Sequence, residues 1–240
     1  MIDVVLPELP QRELSLKADG PVRGPGDPAP PPPLGGRILL GGPVSVPLDA
    51  KAVAHDAELQ AFVEGEADSA VYHLLHLSIT CEKDSEGPAL HTVDVDLTLT
   101  ADADADADTG AGAGAGAAAI VGFQPVAWSM TPKQLTETVE STTSAQLGPQ
   151  LAFVGYSRTS QQSRVCLEAL RELRSDPGWA IRHTRTAKIG GTYRLAMVVR
   201  APRGAKSRAA VAVGAAVRKG HVMRRYREEM PDPVSLVMDL

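Results

Sequence analysis

Six histidines, four evenly spaced aspartates and two cysteines are the side chains here with chemistry to offer a metal ion or a nucleophilic site, and their spacing serves neither. Of His55, His73, His76, His91, His183 and His221, only His73 and His76 are close in sequence. They lie three apart in a run that alternates apolar and polar residues, so they fall on opposite faces of a strand and cannot share a metal without a bulge. Asp102, Asp104, Asp106 and Asp108 invite a calcium-loop reading. Counted from Asp104, however, the sharp-turn glycine position holds Thr109 and the bidentate position holds Ala115. Ala101 to Ala119 is better read as a low-complexity loop, which a fold tolerates because closure entropy grows only slowly with length. Cys81 and Cys166 sit far apart in apolar patterns and read as buried free thiols. There is no nucleophile elbow, phosphate loop, dinucleotide fingerprint or HExxH, and Gly190-Gly191 is too short to cradle a phosphate. The chain is expected to be non-enzymatic, with no cofactor and no metal.

Two other stretches carry physical chemistry. Residues 1–150 hold seven Lys and Arg against 22 Asp and Glu, whereas residues 151–240 hold 17 against seven, so an acidic portion precedes a basic one. Either the two portions neutralise one another in the fold, or the basic one meets an anionic partner. Arg218, Lys219, Arg224 and Arg225 are the candidates for that contact, with an anionic lipid surface or a partner protein on the other side and nucleic acid as the weaker fit. The second stretch is 131–163. Leu135, Val139, Ala145 and Leu147 alternate with Thr136, Thr138, Glu140, Thr142, Ser144 and Gln146. Gly148-Pro149 makes a turn, and Leu151 and Phe153 precede a second hydroxyl-rich run. Two amphipathic, hydroxyl-rich segments joined in this way suit a membrane-inserting β-hairpin, with Thr138, Val139, Leu147 and Phe153 as its marker residues. The same composition also suits a surface hairpin or loop of a soluble protein. The expected function is a binding or interaction module whose basic C-terminal portion contacts an anionic surface or a protein. The alternative is a β-pore-forming or membrane-perturbing protein with an inserting hairpin near 131–163.

The elements that must position these residues are mostly strands. Val71 to Cys81 alternates, and Val93, Val95, Leu97 and Leu99 alternate strictly with Asp94, Asp96, Thr98 and Thr100. The turn formers between them predict a hairpin of two long strands. Arg37 to Leu48 reads as a strand bent at Gly41-Gly42-Pro43, its second half demoted to an edge by proline. Ala50 to Val63 is a short helix or an irregular crossing. Ile120 to Met130 is a strand bent at Pro125, with Trp128 as a core anchor. Helical spacing predicts a helix over Val165 to Arg174. The Trp179 and Tyr193 runs form a second predicted hairpin, Val211 to Val217 a small-residue strand, His221 to Met230 a basic helix, and Val234 to Leu240 a docked tail.

The predicted fold is mainly β, an antiparallel β-sandwich of seven to nine strands with one or two short helices and a disordered Pro-rich N-terminus. Residues 1–36 form that Pro/Gly-rich leader, 37–230 a single β-rich domain with the loop at 101–119, and 231–240 a C-terminal tail. The N-terminus has no basic and apolar signal pattern and no apolar run reaches 18 residues, so the expected location is cytoplasmic, possible at a membrane periphery, without a transmembrane helix.

Overall fold

The computed structural model describes residues 8–18, 34, 36–82, 89–102, 123–145, 156–184, 188–219, 222–227 and 234–235. They form two antiparallel sheets packed face to face, with one helix on the side. The first sheet has the order β1 (Gln11–Glu13), β3 (Arg37–Leu48), β4 (Ala70–Glu82), β10 (Gly191–Pro202), β6 (Val126–Thr131). The second runs β2 (Lys17–Ala18), β12 (Val222–Arg227), β11 (Lys206–Lys219), β5 (Leu90–Asp102), β9 (Gly178–Arg182), β8 (Tyr156–Leu170), β7 (Gln134–Ala145), and β13 (Val234–Ser235) pairs with β11. The mainly β, two-layer class expected from the alternating runs is the class observed. The described residues hold thirteen strands rather than seven to nine, and three of the extra ones are only two or three residues long.

The alternation locates the core. Leu75, Leu77, Ile79 and Cys81 of β4 and Leu195, Met197 and Val199 of β10 are buried in one cluster with Val93, Val95, Leu97 and Leu99 of β5 and Val211, Val213 and Val217 of β11. Each strand thus gives one face to the space between the sheets, as a sandwich requires. This corrects the first predicted hairpin. β4 pairs with β3 and β10, whereas β5 pairs with β11 and β9 in the other sheet. Two strongly one-sided strands bury more by facing each other across the core than by lying side by side. The second predicted hairpin fails in the same way, because β9 pairs with β5 and β8 while β10 pairs with β4 and β6.

The two extra predicted helices are also strands. Val165 to Leu170 belongs to β8, paired with β7 and, over Leu167–Leu170, with β9, and Val222 to Arg227 is β12, paired with β11 and, at Tyr226 and Arg227, with β2. In both, ladder bonds to neighbouring strands override a helical spacing that local propensity only weakly supports. β3 is one strand whose register slips between Gly41 and Val44, and its second half pairs with β4 alone, the edge position that its prolines suggested. Gly42 is obligatory at that slip: its φ is +80° and a Cβ there would meet the His76 carbonyl oxygen at 2.9 Å. Within the N-terminal leader, β1 pairs with β3, β2 pairs with β12, and Leu14 is buried. Val234 and Ser235 of the tail pair with Ala209 and Arg208.

The helix, α1 (Ala57–Gly65), begins at Asp56, whose carboxylate accepts from Leu59 N at 3.2 Å, a regular N-cap. It covers a satellite cluster of Leu48, Val53, Leu59, Tyr72 and Val198, against which Phe62, Phe123 and Trp128 pack. Trp128 therefore anchors the satellite rather than the main core. Trp179, 1% exposed, fills the main core instead.

Candidate functional site

Two features at one end of the second sheet gather the residues singled out in the sequence. The first is the β7–β8 hairpin, paired in register from Gln134↔Glu168 to Ala145↔Tyr156. β7 is the outermost strand, and β9 flanks β8 only over Leu167–Leu170. Among the described residues, then, Tyr156 to Cys166 and their partners on β7 form a two-stranded arm with no lateral neighbour. Eleven residues at about 3.4 Å each give a reach of about 37 Å. The strands carry ten Ser and Thr between them, residue types that favour extended backbone or tolerate it without bulk. Thr138 stands opposite Ser163 and Val139 opposite Gln162. The register also sets Glu137 opposite Arg164 and Thr143 opposite Arg158, so the alternate positions that carry Val139 carry charges as well. The set expected to be apolar is mixed, and the hydroxyl-rich set, Thr136, Thr138, Thr142 and Ser144 with Ser157, Thr159 and Ser163, is interrupted by only one ionisable residue, Glu140. The partner strand decides this, and a single-strand pattern does not reveal it. Leu147 and Phe153, in the connection 146–155, lie outside the described residues.

The base of the arm is tied to the body by contacts that sequence reasoning missed. Trp179 Nε1 donates to the Pro132 carbonyl at 3.1 Å and Ala169 N to the Lys133 carbonyl at 2.8 Å. Glu172 accepts from Met130 N at 3.2 Å and from Lys133 Nζ at 3.1 Å. The only signal in the sequence was the charged pair Arg171-Glu172 just before the Asp176-Pro177-Gly178 turn.

The second feature is the tip of the β11–β12 hairpin. Val217 pairs with Arg224, Arg218 with Met223, Lys219 with Val222, and Ala216 with Arg225, so all four basic candidates fall at the end of this hairpin, with Arg218 and Arg225 at positions of one face and Lys219 and Arg224 at positions of the other. Arg218 and Arg225 are exposed, and Met223 beside them is 47% exposed, an apolar side chain among cations. Register puts this tip and the arm at the same end of the sheet. Val217 is level with Leu90, the first residue of β5, and Arg218 and Lys219 run past it. Leu167 is level with Ile181 and Val93, so the rest of β8 also runs past the start of β5. Further down this face, partial desolvation holds the Asp94 carboxyl above the usual carboxylate range, with Asp96 pushing the same way and Arg182, Arg225 and Arg227 opposing.

At the other end, the Glu66 carboxylate accepts from Arg200 Nε at 2.6 Å and Tyr72 Oη at 2.8 Å, while the Arg200 guanidinium lies 3.9 Å over the Phe123 ring. Arg200 holds Glu66 below its ordinary value, and burial next to Glu66 pushes Tyr72 up to about 12. Every group there has a partner inside the protein, which makes it a brace for α1. An open cavity of about 480 Å³ lies beside it, lined by Leu48, Val63, Ala70 and Tyr72. Glu66–Arg200 and Asp96–Arg171 each pair an acid of the first portion with a base of the second, so part of the charge asymmetry is neutralised within the fold, while Glu172–Lys133 joins the two portions with the signs reversed. Cys81 is buried and free, its thiol pushed up to about 12 by burial, and Cys166 is free and half-buried. No group of three metal-ligating side chains occurs among the described residues, and no described helix is long and apolar enough to cross a membrane.

No family model matches the chain, and no curated protein does. Among solved structures, the chain is similar to the NetB toxin of Clostridium perfringens in its membrane-inserted form, at 10% identity and a TM-score of 0.34 over 94% of each chain. It is similar to the Clostridium perfringens delta-toxin at 9% identity and a TM-score of 0.30, over 95% of this chain and 90% of that one. A third, a pore forming protein, gives 9% identity and a TM-score of 0.32 over 94% and 88%. Values this low do not carry an activity from those proteins to this one.

Proposed function

We propose that this is a membrane-perturbing protein, which meets anionic lipid through the β11–β12 tip and inserts the β7–β8 arm. The observation that carries this reading is the arm's unflanked length. About 37 Å of paired strand exceeds the roughly 30 Å of a hydrocarbon core, and a membrane strand needs only about nine to 11 residues. A two-stranded ribbon is marginal in water, and its open edges are not tolerated in lipid, so insertion requires the arms of several copies to pair. In the inserted hairpin the set with Glu137, Arg158 and Arg164 faces water, because an arginine on the lipid face at mid-bilayer costs about 2–4 kcal/mol, and the hydroxyl-rich set faces lipid at the smaller cost of its one ionisable residue, Glu140.

The tip contributes the approach. Arg218, Lys219, Arg224 and Arg225 supply positive charge and Met223 an apolar contact at the end from which the arm projects. Dye-loaded vesicles of anionic lipid test both parts. Intact protein is expected to bind and release dye, Thr138→Lys on the lipid-facing set to bind without release, and Val139→Lys on the water-facing set to release as the intact protein does. Release by Thr138→Lys equal to that of the intact protein would show that another segment inserts. Binding with no release by the intact protein would leave a peripheral binding module, the other function expected from the sequence.

A further inference from the structure

We propose that the segment Arg171 to Pro177 is a releasable clasp on the base of the arm, and that its opening precedes insertion. The second clause rests on the function proposed above, whereas the first does not. The segment stitches the two sheets together with backbone bonds. Leu97 N and Leu99 N of β5 donate to the Pro177 and Ser175 carbonyls, while Ala127 of β6 receives a bond from Leu173 N and donates to the Arg174 carbonyl. Side chains reinforce it on both sides: Arg171 binds Asp96 and Asp176, and Glu172 binds Met130 N and Lys133. The segment touches both covalent routes into the arm, since β6, which it bonds at Ala127, leads into β7, and β8 leads into the segment itself.

Three observations make the clasp an element that opens more readily than the strands it joins. Its ion pairs are wet: the side chains of Lys133, Asp96 and Asp176 are 69%, 55% and 61% exposed, and such pairs are weak. Burial anchors it only at its end, since Pro177 is the one buried residue of the segment and Leu173, a large apolar residue, is 61% exposed. Its backbone is strained, since Arg171 and Leu173 have φ of 58° and 64°, the left-handed region that disfavours residues with a Cβ. Immediately beyond it, Trp179 and Leu167 are in the core. Few buried apolar contacts together with exposed polar ones are what local opening selects.

The test uses the whole protein and two readouts. Glu172→Gln weakens the contact to Lys133 and Met130 N, and Leu173→Gly relieves the left-handed strain without touching a polar partner. Amide exchange at Ala127, Met130, Leu173, Leu97 and Leu99, measured without lipid, is expected to be roughly tenfold faster in Glu172→Gln, the worth of one charged hydrogen bond, and slower than wild type in Leu173→Gly. Dye release should follow the same order. Unchanged exchange in both variants would remove the clasp. Altered exchange with identical release kinetics would show that it does not gate insertion. Absence of release in every protein, wild type included, would remove the membrane function, while the exchange data would still decide whether the clasp exists.

Discussion

His76 is 8% exposed, and its Nδ1 has no hydrogen-bond partner among the described residues. Val44 of β3 and Ala196 of β10 stand beside it in the ladder, and burial, with Arg194 adding to it, holds its pKa below the ordinary 6.5. His73, 3% exposed with Ser45 Oγ 3.3 Å from its Nδ1, is lowered by burial as well. A group that is less basic in the fold than in the unfolded chain leaves stability intact above its unfolded pKa and withdraws it as the pH falls below that value. The melting temperature is therefore expected to be lower at pH 5.5 than at pH 7.5, and His76→Leu to flatten that dependence. Equal melting temperatures at the two pH values would contradict the burial argument. Gly178 is a second residue with a sharp consequence. A Cβ there would meet the Val95 carbonyl oxygen at 2.7 Å, and backbone cannot step aside as a flexible side chain can. Gly178→Ala should lower unfolding free energy in urea by about 1–3 kcal/mol. Neither effect is legible in the sequence, because both arise from atoms brought close by pairings between distant segments.

At the scale of elements, existence was easier to read than pairing. The alternations in 71–81, 93–100 and 193–199 mark strands β4, β5 and β10 closely, because a strand with one buried face must repeat every two residues. Their partners were misassigned at both predicted hairpins, since periodicity states which face is buried and not what lies opposite. The 131–163 segment is the exception, because its two hydroxyl-rich runs do pair with one another, while Gly148 and Pro149, expected to turn the chain between them, lie outside the described residues. The helices predicted at 165–174 and 221–230 show the opposite limit: short mixed segments fit two periods, and only neighbouring strands decide. Of the site residues, the basic cluster at 218–225 and the arm were readable, whereas Lys133, Glu172 and Trp179 at the arm's base were not. An element-level experiment follows. Joining Glu137 to Arg164 through Asn-Gly removes the unflanked arm but leaves the core cluster untouched. The shortened protein is expected to keep its β circular dichroism and cooperative melting while losing dye release. Loss of cooperative melting would mean that the arm contributes to the core after all.

At the scale of the molecule, the arm and the basic tip share one end, and the braced α1 occupies the other. Electrostatic contact with a charged surface is screened within about 10 Å at 0.1 M salt. Vesicle binding should accordingly weaken as salt rises from low to physiological levels, and Arg218→Glu with Arg225→Glu should weaken it further in low salt. Salt-independent binding would shift the contact from the arginines to Met223 and the arm. The same layout accounts for the charge asymmetry of the chain. The acid-rich strand β5 lies between β11 and β9, both from the basic portion, so the sequence is divided by charge while the sheet mixes the two.

That interleaving bears on what a protease would leave behind. β10 is wedged between β4 and β6, and β5 between β11 and β9, so a single cut in 146–155 would give two pieces, each missing its central ladder partners. The nicked chain should still migrate as one particle on a native column and separate only in denaturant, while neither half, expressed alone, should yield a folded product.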